Sequence, residues 1–160
     1  GFNTTNAVAI SGETLIAGLS VFVRSGTTWT EQQRLTPPNI PPGAVSSLAI
    51  SGNTVVIGVD EVTVTHTAQG AVYVFKRTGT VWTQQQKLTA DDGMWDSRFG
   101  SAVALGGDSL AVGAPNHFTT GDLGLGAAYV FAFTGSWVLQ ETLNTAGGAS
   151  SAAASSATTA

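Results

Sequence analysis

The chain has 160 residues, a formal charge of −4 and a pI near 4.8, with 42% hydrophobic residues and 20 glycines, which excludes both a disordered acidic tail and a collagen. Lys and Arg total only 6, too few for a broad phosphate-binding surface, so no nucleic-acid partner is expected. Zero cysteines exclude disulfides, thiolate catalysis and cysteine-based zinc sites, and no apolar run reaches the ~18 residues of a transmembrane segment.

In chain order, Ala7–Ile10 and Thr14–Ala17 read as two short apolar strands around Gly12, and Val21–Arg24 and Thr28–Leu35 as a second pair around Gly26. After the proline-rich stretch TPPNIPPG at residues 36–43 the pattern returns as Ser47–Ile50, Thr54–Ile57, Ala71–Arg77 and Val81–Leu88, with Gly52 and Gly79 in the turns. It returns again as Ala102–Leu105, Ser109–Val112, Ala127–Phe133 and Ser136–Leu143, with Gly107 and Gly135. The residues are β-branched and aromatic, and small turn residues bound them, which predicts strands. Glycine followed by a polar residue suits tight hairpins that need positive φ. Trp29, Trp82 and Trp137 mark the three copies at intervals of 53 and 55 residues, an internal repeat. No stretch has sustained helical periodicity with caps, so the chain reads as all-β.

The four strands of each copy, A to D in order, differ in polarity. Strand A is small and apolar, as crowding near a central axis requires. Strand B is continuously apolar (Leu15-Ile16-Ala17, Val55-Val56-Ile57, Leu110-Ala111-Val112), as for a strand covered on both faces. Strand D carries Gln, Glu, Lys and Arg around its Trp and Leu, as an outer, half-wet strand should. Such a graded unit is a propeller blade. The expected fold is therefore all-β, with three tandem four-stranded antiparallel blades of a β-propeller forming an incomplete ring: residues 1–35, 36–88 and 89–143, then an Ala/Ser/Thr-rich tail at 144–160.

Phe99-Gly100 followed by Gly113-Ala114-Pro115 resembles the FG-GAP repeat, the blade motif of integrin α-subunit β-propellers, and Lys87–Leu143 is similar to a bacterial variant common in secreted and surface proteins. The resemblance implies an extracellular or cell-surface location and a blade-packing role for Phe99, Gly100 and Pro115, beside the marker residues Trp29, Trp82 and Trp137. The earlier copies carry Thr4-Thr5 and Ala44-Val45 in place of Phe-Gly, and Gly18-Leu19-Ser20 and Gly58-Val59-Asp60 in place of Gly-Ala-Pro. Tight contacts between the early blades are accordingly not expected. Integrin-type blades often hold calcium on Asp-x-Asp-x-Asp-Gly. The matching turns here, Ser11-Gly12-Glu13, Ser51-Gly52-Asn53 and Gly106-Gly107-Asp108, offer at most one carboxylate each, far below the roughly six to eight oxygens calcium takes, so no metal or other cofactor is expected.

Closed propellers have typically about four to eight blades. Three alone leave apolar blade faces uncovered, which predicts a homo-oligomer: a ring, or a filament where the contact fails to close. The absence of an initiator Met and of a signal-peptide pattern predicts a mature chain or a fragment. The low-complexity tail TAGGASSAAASSATTA is expected either to dock on a neighbouring subunit as an added strand or to run as a linker.

Binding concentrates in variable loops on a rigid scaffold, here the B–C and D–A loops at one end of the blades. Candidates there are Asp91, Asp92, Asp96 and Trp95, as a cation site or a sugar platform, together with His117 and, in the preceding B–C loop, His66. Asp60-Glu61 reads as solvated loop charge and Lys76-Arg77 as an exposed edge guard. Asn3-Thr4-Thr5 is a glycosylation sequon. There is no GxSxG, Walker, HExxH or dinucleotide motif, and no nucleophile has a base beside it. The expected function is a non-catalytic extracellular structural protein whose blades self-associate. The alternative is an adhesion or ligand-binding module that takes a glycan or another surface ligand on the variable loop face.

Overall fold

The computed structural model describes residues 7–41, 43–117 and 126–144, all β-strand, turn and loop. Four strands, β1 (Val8–Ser11), β2 (Thr14–Ala17), β3 (Ser20–Ser25) and β4 (Thr28–Arg34), form the first sheet. The second holds β5 (Ser47–Ser51), β6 (Thr54–Val59), β7 (Ala71–Thr78) and β8 (Val81–Leu88). The third holds β9 (Ala102–Gly106), β10 (Ser109–Ala114), β11 (Ala127–Phe133) and β12 (Trp137–Asn144). Each sheet is an antiparallel meander in chain order, as the repeat predicts.

The registers show how closely the copies agree. Val21 faces Gln33, Val74 faces Gln86 and Val130 faces Glu141, and directly after each valine the pairing slips by one residue. The extra residue on the outer strand is Gln32, Gln85 or Gln140, a β-bulge in the same place three times. The third hairpin is one residue shorter at its tip, and Trp137 faces Phe133, which stands in the place of the Arg24 and Arg77 that Trp29 and Trp82 face.

The core lies in two layers between the three sheets. In the first, Ile16, Val21 and Leu35 meet Val55, Ile57, Tyr73, Phe75 and Trp82 of the second sheet. In the second, Val56, Val72, Val74 and Leu88 meet Leu110, Val112, Tyr129, Phe131 and Trp137 of the third. Every sheet thus has an incoming face, which carries its tryptophan, and an outgoing face, which carries the leucine at the end of its outer strand: Leu35 directly after β4, Leu88 the last residue of β8 and Leu143 the last but one of β12.

This stacking corrects the expectation for strand B. Only β6 is buried on both faces, because only the middle sheet has a neighbour on each side; β2 and β10 alternate. The early contact is also tighter than expected. Ile16, Val21 and Leu35 are fully buried, and Leu19, Ile40, Ala44 and Val45 pack against the same layer where the Phe-Gly and Gly-Ala-Pro residues are missing. Lys76 is exposed, as expected, and Arg77 is half-buried, but both also make contacts across sheets. Arg77 lies over the Trp82 ring and donates to Thr14 Oγ1 of the first sheet at 3.1 Å, while Lys76 lies 5.4 Å from the Phe133 ring centroid of the third. Both strap neighbouring sheets together.

Candidate functional site

The alternating strand direction gathers the long B–C and D–A loops at one end of the stack. Residues 89–100, which join β8 to β9, are held there against the β6–β7 loop by main-chain bonds. Asp96 N–H donates to the Thr67 carbonyl at 2.8 Å, Arg98 N–H to Ala68 at 3.1 Å and Phe99 N–H to Gln69 at 2.9 Å. Buried Gln69 completes the seam: its Oε1 accepts from the Thr65 and His66 amides and its Nε2 donates to the Ala90 carbonyl.

The Phe-Gly pair sits where this seam enters the core. Phe99 is fully buried, edge-on to Tyr129 and Phe131 with centroids 5.1 and 6.2 Å away. Gly100 has φ +95°, and a Cβ there would lie 2.8 Å from the Ala71 carbonyl oxygen, so only glycine fits this approach. Its amide donates to the Gly113 carbonyl at 2.9 Å, which ties Phe-Gly to Gly-Ala-Pro. Pro115 follows at the exposed start of the third B–C loop.

The candidate polar residues divide into two groups. Asp92 and His117 converge on Tyr129, a strand residue that nothing in the sequence separates from an ordinary core tyrosine. Tyr129 O–H donates to Asp92 Oδ1 at 2.7 Å, and the Tyr129 hydroxyl oxygen lies 3.2 Å from His117 Nδ1. The second carboxylate oxygen of Asp92 is 3.6 Å from His117 Nε2. Burial pushes the Tyr129 phenol far above its ordinary range, and the Asp92 carboxylate adds to the shift. Such a phenol keeps its proton, so it serves as a hydrogen-bond donor and not as a base or nucleophile. The trio latches a D–A loop, a B–C loop and β11 together.

Asp96 belongs to the second group. Its Oδ1 accepts from Arg98 Nε at 2.9 Å and its Oδ2 from Asn116 Nδ2 at 3.3 Å. The same guanidinium reaches Glu61 at 3.7 Å and Asp60 at 4.0 Å, so three carboxylates share one cation within the site. Asp60 is further held by Ser46, whose hydroxyl bonds its carboxylate and accepts from its amide. Among the described residues no group of three or more His, Asp or Glu is arranged to hold a metal. Asp91 is exposed, His66 is exposed, and Trp95 stands 60% exposed on the rim. The sequon at Asn3, residues 118–125 of the third B–C loop and the tail from 145 onward lie outside the described residues.

The marker tryptophans are not equivalent in burial. Trp82 and Trp137 are 2% and 5% exposed between sheets, whereas Trp29 is 36% exposed on the incoming face of the first sheet, with Arg24 over its ring.

No curated protein matches the chain. A family model described as FG-GAP repeat matches residues 82–131, from β8 into β11, a span that holds Phe99-Gly100 and Gly113-Ala114-Pro115. This stretch of the chain is an FG-GAP repeat, the propeller-blade module that its motifs resemble.

Proposed function

We propose that the chain is a non-catalytic structural protein of the cell surface or extracellular space, built from propeller blades at 1–35, 36–88 and 89–143, whose open blade faces self-associate into a ring or a filament. One observation carries this reading. Val8 and Ile10 on the incoming face of the first sheet are 69% and 60% exposed, while their counterparts Leu48, Ile50, Val103 and Leu105 pack into the two internal layers. A contiguous apolar face of this kind favours association, and the low charge content leaves little repulsion between copies. No helix of the described residues is long and apolar enough to cross a membrane.

Light scattering coupled to size exclusion, run over a rising concentration series, tests it. The wild-type chain is expected to gain mass with concentration, and Ile10→Lys, an exposed position, to stay at the mass of one chain. A folded wild-type chain that keeps the mass of one copy throughout would overturn the proposal.

FG-GAP propeller modules are often involved in adhesion or ligand binding, and one feature favours that second reading. Trp95 stands exposed in the same loop as exposed Asp91, on a rim stiffened by the main-chain seam, an arrangement suited to stacking on a sugar ring. Loss of glycan retention in Trp95→Ala supports it; retention that is absent from the wild type, or unaltered by the change, refutes it.

A further inference from the structure

Both sheet-to-sheet contacts inside the chain use one polar clasp. Gln33 Nε2 of the first sheet donates to the Trp82 carbonyl at 2.8 Å, and the Trp82 amide donates to Gln33 Oε1 at 2.8 Å. Gln86 of the second sheet repeats this with Trp137, at 2.9 and 2.8 Å. A side-chain amide thus pairs with the main chain of the next tryptophan as a neighbouring strand would. Only Asn and Gln present a donor and an acceptor side by side in this way.

The registers identify the third residue in the series. Gln33 faces Val21, Gln86 faces Val74, and at the corresponding place on β12 Glu141 faces Val130. A carboxylate accepts the amide hydrogen of a clasped tryptophan but turns lone pairs toward its carbonyl. The apolar part of this face is also reduced. Ala111, paired with Ala104, stands where Ile16 pairs with Ala9 and Val56 with Ala49. Leu143, the counterpart of buried Leu35 and Leu88, is exposed. At the other end of the stack, the first sheet offers Trp29 with Val8 and Ile10, the features that receive a clasp in the second and third sheets.

We propose that two copies of this chain join by seating the incoming face of the first sheet of one on the outgoing face of the third sheet of the other. Glu141 then meets the Trp29 main chain and holds this junction weaker than the two internal ones. The inference rests on the self-association reading and adds the residue that sets its strength.

Sedimentation velocity at neutral pH on wild type, Glu141→Gln, Glu141→Ala and Asp108→Asn tests it. Restoring one hydrogen bond and removing a buried carboxylate should raise the association constant of Glu141→Gln about tenfold or more over wild type. Glu141→Ala should gain less, because it removes the charge without supplying the clasp. Asp108→Asn, the same charge change in the exposed turn between β9 and β10, which borders the second sheet at Thr54 and Lys76 and not an open face, should leave the constant unaltered. If wild type and Glu141→Gln associate equally, or if Asp108→Asn matches the gain, the clasp inference fails while self-association stands. If neither wild type nor Glu141→Gln associates at any concentration, self-association itself fails.

Discussion

The internal clasp allows the chemistry of Glu141 to be measured inside a single chain. Replacing Gln86 with Glu converts the second-to-third sheet contact into the arrangement assigned to the junction between copies. In the wild type two neutral hydrogen bonds of 2.9 and 2.8 Å join Gln86 to the Trp137 main chain, at partly buried atoms. Each such bond contributes about 0.5–1.5 kcal/mol net. Gln86→Ala, which deletes both and lets water reach part of the gap, is expected to cost about 1–2 kcal/mol. Gln86→Glu keeps the bond from the Trp137 amide but loses the donor and sets a carboxylate against a carbonyl, so its expected cost is about 2–3 kcal/mol, because an unpartnered acceptor in a partly dry site loses more than a truncated one. Urea unfolding followed by tryptophan fluorescence measures both, with Gln140→Ala, an exposed bulge residue, as the reference change. Gln86→Glu as stable as wild type would refute the reasoning. So would Gln86→Ala being clearly worse than Gln86→Glu, because the order of the two variants separates a missing donor from a missing side chain.

Two further outcomes follow from the same geometry. Gly100→Ala should destabilise the chain by about 2–3 kcal/mol, since it combines a left-handed φ with a contact to the Ala71 carbonyl; chemical denaturation checks it, and an unchanged midpoint would contradict it. Tyr129 and Tyr73 both have phenols raised by burial, Tyr129 the more strongly. The unfolded chain therefore loses these protons first, above about pH 10, while the folded chain keeps them. Stability should hold below that pH and fall as pH rises beyond it, and Tyr129→Phe should flatten the fall; an unaltered alkaline slope in the variant would refute the assignment.

Much of this architecture is legible in the residues because each copy repeats the same local choices. Glycine at the tight turns, β-branched runs and a tryptophan on every outer strand point to the same four strands three times, and all three sheets follow. What sits between sheets is harder to read. The bulges at Gln32, Gln85 and Gln140 leave no mark in composition, and the clasp pairs residues about fifty apart through main-chain atoms. Leu19, Ile40 and Val45 replace the Phe-Gly and Gly-Ala-Pro packing by bulk alone, so the motif's absence reads as a looser contact when the core is closed. At the loop end, Asp92 and His117 stand out as candidates because they are polar and sit in loops. Their shared partner, Tyr129, lies on a strand among Val and Phe, where only the fold reveals that its hydroxyl reaches the rim. Arg98 likewise gathers Asp96, Asp60 and Glu61 around one guanidinium through a convergence of two loops that spacing along the chain does not display.

The most direct test of the account is an electron-microscope image of the native particle. The stacking of like faces predicts a closed ring or an extended filament, with three-sheet units following one another in a single direction. Particles of one three-sheet body each, with the face of Val8, Ile10 and Trp29 bare to solvent, would contradict it.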